Sequence, residues 1–113
     1  MHKMTRATAI SKAVKESVYR RDHGLCVICE NPGLPNAHVV RRSRGGMGIE
    51  RNIVTLCPRC HREFDEGQNR SAYEDRIIFY LKAHYPDWNR DDLIYKKQGG
   101  TYGKTVSDPQ DGG

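Results

Sequence analysis

The sequence is short of what builds a large apolar core. Only 36% of its 113 residues are hydrophobic even with Tyr and Cys counted, Phe occurs twice and Trp once, and the mean hydropathy is −0.80. The longest unbroken apolar run is Ile77-Ile78-Phe79-Tyr80-Leu81, far below the ~20 residues that a membrane helix needs. That excludes a membrane-spanning helix. No apolar stretch follows the N-terminal charges, so a secretory leader is not expected either. Acidic residues are the minority charge, 14 against 19 Lys and Arg, for a formal charge of +5 and a pI near 9.2. A chain of this length is expected to form one domain. Its expected compartment is the cytoplasm, where four cysteines are not expected to pair as disulfides.

What is present is unevenly placed. Residues 1–62 carry 12 Lys or Arg against 4 acids, a net +8, whereas residues 63–113 carry 7 against 10, a net −3. Six arginines (Arg41, Arg42, Arg44, Arg51, Arg59 and Arg62) fall within 22 positions. Arginine presents a fixed fork of donors to phosphate, so a cluster this dense suits a polyanion. Its coincidence with metal-type residues puts nucleic acid ahead of a merely solvated basic face.

Along the chain, residues 1–7 are expected to be a flexible basic terminus. From Thr8 to about Arg21, Ile10, Val14 and Val18 recur every four positions, one face of a short helix. Gly24 is its expected left-handed cap. Residues 25–37 are turn-rich. His38-Val39-Val40 has the character of a strand start, followed by an arginine- and glycine-rich loop, and Ile53–Leu56 reads as the partner strand. Pro58 suits the first turn of a helix that runs to about Glu66 and stops at Gly67. Ser71 and Glu74 form a candidate capping box for a helix ending before Pro86. Asn89 and Asp92 suggest a last short helix carrying Leu93, Ile94 and Tyr95. The result is an α+β domain over 8–97, with a core at about 17–67 and C-terminal helices over 71–97. Residues 98–113 are expected to be disordered.

Cys26-Val27-Ile28-Cys29 and Cys57-Pro58-Arg59-Cys60 are two Cys-x-x-Cys pairs with 27 residues between them. Four thiolates close a tetrahedral site around Zn²⁺. An iron–sulfur cluster also takes four thiolates, whereas a redox disulfide needs only one pair. Structural zinc is the leading expectation, because a core this small is marginal without a staple. Four cysteines leave such an ion no open position, so any catalytic metal must sit elsewhere.

Residues 37–67, AHVVRRSRGGMGIERNIVTLCPRCHREFDEG, resemble the HNH endonucleases. The family motif places a histidine at a strand end, an asparagine in the following loop and a histidine on the next helix. His38, Asn52 and His61 match it, and the Gly45-Gly46 turn, the Asn-Ile-Val-Thr-Leu-Cys strand and Cys-His at the helix start match as well. The resemblance covers about residues 17–67 and implies a ββα-metal (His-Me finger) module with a structural zinc knuckle and flanking helices. It also implies a metal-dependent DNA endonuclease. His38 would be the general base on water, and His61 would hold a divalent ion (Mg²⁺, Mn²⁺, Ni²⁺ or Zn²⁺) on the phosphate. Asn52 would orient the His38 loop through backbone groups or contact the metal. Arg41, Arg42, Arg44 and Arg51 would hold the DNA backbone.

One position departs from the family. The residue before the first histidine often supplies a ligand, and here it is Ala37. Asp65, one helical turn beyond His61, is either its replacement or an ordinary surface acid; Glu66 is expected to be rotated away. Tyr85-Pro86-Asp87-Trp88-Asn89 further resembles small phage-associated members, which implies phage DNA processing in a bacterial host and terminase or portal partners. A non-catalytic zinc-ribbon module that binds nucleic acid shares the cysteines and arginines, and gains weight from Ala37. His23 and His84 are assigned no role, and Trp88 is expected to pack helices onto the zinc module.

Overall fold

The computed structural model describes residues 3–96, so the tail expected over 98–113 and the last position of the expected domain lie outside the described residues. Helix α1 (Lys3–Thr8) and helix α2 (Lys12–Arg21) precede strand β1 (Leu34–His38). Strand β2 (Ile53–Leu56) leads directly into helix α3 (Pro58–Glu66), and helix α4 (Arg70–His84) follows. Short 3₁₀ turns occupy Arg42–Arg44, Glu50–Asn52 and Arg90–Leu93. The architecture is therefore α+β, with β1, β2 and α3 forming a ββα unit. No helix among the described residues is long and apolar enough to cross a membrane.

β1 and β2 are antiparallel, with Ala37 opposite Val54 and His38 opposite Ile53, and the register shifts between Leu34 and Ala37. All four residues of β2 are buried, which is why this run shows no polar alternation. α3 starts and stops where its sequence signals lie. Cys57 caps it by accepting from the Cys60 N–H, Pro58 opens it where no N–H is required, and the chain leaves it at Gly67. Phe64, Ile77, Leu81 and Leu93 are fully buried with Val39, Val54 and Leu56, and Trp88 joins this core while donating its indole N–H to the Arg51 carbonyl at 2.7 Å.

A buried ion pair ties the helices to the sheet. Asp22 accepts from Arg21 Nε at 2.7 Å, from the Tyr80 hydroxyl at 2.6 Å and from the Thr55 N–H at 2.9 Å. Arg21 in turn donates to the Glu50 and Ile53 carbonyls at 2.9 and 2.8 Å. A charge pair this deep is tolerated because every lone pair in use meets a donor.

Five expectations about local structure change. Residues 3–8 form a helix where a flexible terminus was expected, since Thr8 is buried and its hydroxyl accepts from Arg42 Nε at 3.2 Å. The helix expected from Thr8 to Arg21 breaks before Ser11, which caps α2 by accepting from the Val14 N–H. β1 ends at His38 rather than starting there, because the backbone of Val39 and Val40 bonds to Asn52. The Ser71–Glu74 capping box is not formed. α4 begins at Arg70, whose guanidinium is anchored to the Phe64 and Val39 carbonyls, and Glu74 pairs with Arg90 instead. The last helix is a 3₁₀ turn ending at Leu93, beyond which Ile94 bridges to Gly46.

Candidate active site and metal centre

The knuckle at Cys26–Cys29 is a tight turn in which the Cys26 N–H bonds to the Asn31 carbonyl and the Glu30 N–H to the Cys26 carbonyl. The Val27 N–H bonds to the Thr55 carbonyl at 3.0 Å, which docks the knuckle on β2. The second pair sits at the start of α3. The four Sγ atoms come together within 4.8 Å of one another, with Cys29 and Cys57 3.6 Å apart. Four sulfurs about 2.3 Å from one Zn²⁺ lie about 3.8 Å apart, so the four are gathered to roughly the span that one ion needs. None is in a disulfide.

The chemistry of the thiols agrees with a cation between them. A backbone N–H from Asn31 lowers the Cys29 thiol to about 7, whereas burial pushes Cys60 up. Four adjacent thiols cannot all ionise in a closed space without positive charge at its centre. These residues form a metal-ligand cluster compatible with structural zinc.

A separate open cleft of about 410 Å³ brings together His38, His61, Asp65, Arg41 and Arg42. His38 enters from the end of β1. Its Nε2 lies 2.8 Å from the Thr8 carbonyl, an acceptor only, so Nε2 carries the hydrogen and Nδ1 keeps its lone pair. Burial and, to a lesser degree, the nearby Arg42 charge lower its pKa below the usual 6.5. His61 and Asp65 lie one turn apart on α3, with Nε2 and Oδ2 3.1 Å apart. Two ligands about 2.1 Å from one ion, at right angles, are separated by about 3.0 Å. The pair therefore fits the bite of a single divalent ion. Asp65 also lies 3.8 Å from Arg70, which fixes the carboxylate from its other side.

Asn52 is not in this cleft. It is fully buried, and its Oδ1 accepts from the Val40 N–H at 2.8 Å while Nδ2 donates to the Val40 and Met47 carbonyls at 3.2 and 2.8 Å. Its own carbonyl accepts from the Val39 N–H at 2.9 Å. Its amide is spent on the loop that leaves His38, so of its two expected roles the structure brings about the backbone one and removes metal contact. Asn52 therefore fastens the backbone of the loop that follows His38. Gly46 belongs to the same loop, where a Cβ would come within 1.8 Å of the Val40 carbonyl oxygen, so no larger residue fits.

The arginines separate. Arg41 and Arg42 line the cleft, whereas Arg44 lines a neighbouring one. Arg51 joins neither group. It pairs with Asp87 at 2.8 Å and lies over the Tyr85 ring, apart from the other three arginines expected to hold DNA. Ala37 is fully buried opposite Val54 and presents nothing to the cleft. Glu66, expected to face away, does line it, because α3 ends there and the cleft wraps its last turn. His23 takes a left-handed turn conformation and His84 stacks on Tyr80, with ring centroids 4.6 Å apart.

Three contributors escaped the sequence. Asn36 shares the cleft because side chains two apart on a strand share a face, a signal available once β1 is placed through His38. The Thr8 carbonyl and Arg70 had no sequence signal, being separated from His38 and Val39 by 30 and 31 positions.

Comparison with known proteins follows the same residues. The HNH endonuclease family model matches residues 26–64, from the first cysteine to Phe64. The Type IV methyl-directed restriction enzyme EcoKMcrA of Escherichia coli K12 is 35% identical over 66 residues, which cover 50% of this chain. The same segment covers only 24% of that relative's length.

Proposed function

We propose, taking residues 26–64 as an HNH module, that this chain is a metal-dependent nuclease that hydrolyses phosphodiester bonds of DNA in the His38 cleft. The observation that carries this reading is the fixed tautomer of His38, which leaves the Nδ1 lone pair as the base beside the His61–Asp65 pair. Nδ1 accepts the proton of the attacking water. Burial keeps the ring neutral and ready to do so near neutral pH. Arg41 and Arg42 hold the phosphate in the cleft. Asn52, from the interior, holds the loop that carries those arginines. A divalent ion at His61 and Asp65 (Mg²⁺, Mn²⁺, Ni²⁺ or Zn²⁺) would supply Lewis-acid stabilisation of charge on the phosphate and the leaving oxygen. The cysteine cluster takes a structural Zn²⁺, which a reducing bacterial cytoplasm would keep accessible to its thiols.

DNA as substrate is supported by the family match and by the likeness to a restriction enzyme. That relative's methyl direction is not carried over, since this chain spans about a quarter of it. Without a base-reading element among the residues described, nicking or low-specificity cleavage is the expected mode. Ala37 favours a second reading, a nucleic-acid-binding module that does not cut, because the position that often holds a ligand is buried alanine.

Plasmid cleavage with each of the four ions, in wild type and His38→Ala, separates the two. The nuclease reading expects nicking by wild type and a loss of about 10²–10⁴-fold in the variant, measured at a temperature where the variant remains folded. Full cleavage by His38→Ala sinks the base assignment, and no cleavage by wild type with any ion favours the binder. Cleavage seen only after a phage terminase is added would supply the packaging role that the resemblance implies.

A further inference from the structure

A second cleft, of about 370 Å³, shares Arg41 with the first and is lined by Arg44, Arg70, Arg90 and Glu74 as well. Four guanidinium groups and one carboxylate give it a local charge near +3. They arrive from three separate places, the loop after β1, the start of α4 and the 3₁₀ turn at Arg90–Leu93. Only the tertiary fold assembles them. Arg70 is held rigidly, donating to the Phe64 and Val39 carbonyls at 2.9 Å each and lying 3.9 Å above the Phe64 ring. Arg90 is steadied by Glu74 at 2.8 Å. The Arg41 guanidinium reaches only a backbone carbonyl, that of Asp65, at 3.2 Å, and the Arg44 side chain has no hydrogen bond or ion pair among the described residues.

The backbone beneath the free arginines is fastened from the far end of the chain. The Met47 N–H bonds to the Leu93 carbonyl at 2.8 Å and the Tyr95 N–H to the Gly45 carbonyl at 2.7 Å. Holding like charges together in one concavity costs energy that an anion recovers. Arginine forks match phosphate oxygens in particular.

We infer that this cleft is a second phosphate subsite, taking an internal phosphodiester of the same DNA strand whose scissile phosphate lies beside His38, with Arg41 between the two. The identity of that strand rests on the proposed nuclease reading. Three of its five charged residues, Arg70, Glu74 and Arg90, lie beyond Phe64 and so outside the family-matched 26–64. It would set how the strand is threaded through the active cleft.

The test is fluorescence anisotropy of the full chain carrying His38→Ala, so that DNA is not consumed, with a short mixed-sequence duplex bearing 5′-hydroxyl ends. Arg44→Ala and Arg90→Gln are each expected to weaken binding about tenfold and to lower the slope of log affinity against log salt by about 1. Lys15→Ala, which removes one exposed charge from α2, is expected to change affinity less than about twofold. The Arg44 side chain has no hydrogen bond or ion pair among the described residues to lose, and the melting temperature of each variant is measured alongside. Parental affinity and salt slope in both arginine variants would overturn the subsite. An arginine dependence seen only when the duplex carries 5′-phosphates would overturn it too, in favour of a terminal phosphate. Failure of wild type to cleave any DNA would sink the nuclease reading while leaving this binding result intact.

Discussion

The cysteine cluster and the histidine cleft both draw on α3, yet they are opposite kinds of centre. Cys60 and His61 are neighbours in sequence. A helix turns about 100° per residue, so Cys60 points into a buried cluster with 1% exposure whereas the His61 side chain keeps 28% exposure in an open cleft. The cluster surrounds one point with four like ligands and leaves no room for water or substrate. The cleft offers His61 and Asp65 as an adjacent pair, with Glu66, His38 and arginines around the remaining space. Closure makes the first a folding device, and incompleteness makes the second suited to a reaction. The lesson is that one helix start can serve both because its faces are chemically independent.

The largest expected effect breaks the cluster. Cys60→Ser, or exhaustive chelation, is expected to abolish the cooperative thermal transition followed by circular dichroism, since structural zinc binding contributes on the order of 10 kcal/mol. Metal analysis of the purified protein should find the ion before chelation and not after. A chelated chain that melts as before would erase the distinction between the two centres.

Asn52 fastens the loop between β1 and β2, and its loss is expected to be felt in both stability and cleavage. Asn52→Ala removes three side-chain hydrogen bonds and strands the buried Val40 N–H, a cost of roughly 3 kcal/mol. Denaturant midpoints should fall accordingly. Cleavage should also drop about 10²-fold as the arginine loop loses its position. A variant that loses stability and keeps full activity would show that the loop does not position the cleft.

A smaller effect belongs to the cleft alone. In the proposed reaction neutral His38 would be the base, and burial lowers its pKa from 6.5, so the neutral form persists to lower pH. The acid limb of a cleavage profile at saturating metal is therefore expected below pH 6.5, and a limb above that value would contradict the assignment. The smallest effect belongs to the folded interior. The buried Thr55 hydroxyl has no hydrogen-bond partner among the described residues. Thr55→Val should change stability by no more than about 1 kcal/mol, in the neutral to stabilising direction, with cleavage unchanged. Marked destabilisation in a melt would mean that the hydroxyl is satisfied after all.

Much of the ββα unit was legible because its signals are local. The Cys-x-x-Cys spacing, Pro58 at the start of α3 and Gly67 at its end act within one or two turns of backbone, and each sits where the sequence placed it. The start of α4 was misread for the converse reason. Ser71 and Glu74 carry a genuine capping pattern, but the tertiary bonds of Arg70 and the ion pair of Glu74 with Arg90 outweigh a surface cap. Likewise the arginines read as one group, although Arg51 is drawn away by Asp87 and Tyr85, partners more than thirty positions distant.

The sequence by itself determined the ligand chemistry: four thiols in two turns, and a histidine, an asparagine and a second histidine at fixed intervals. Those choices depend on residue type and short spacing, which a linear pattern carries completely. Only the tertiary structure decided which atom of each residue is used. It turned Asn52 inward, assigned the proton of His38 to Nε2 through the Thr8 carbonyl, and gathered Arg41, Arg44, Arg70 and Arg90 into one cleft. Hydrogen bonds and charge act over a few ångströms of space, and the fold alone determines which distant residues fall within that range.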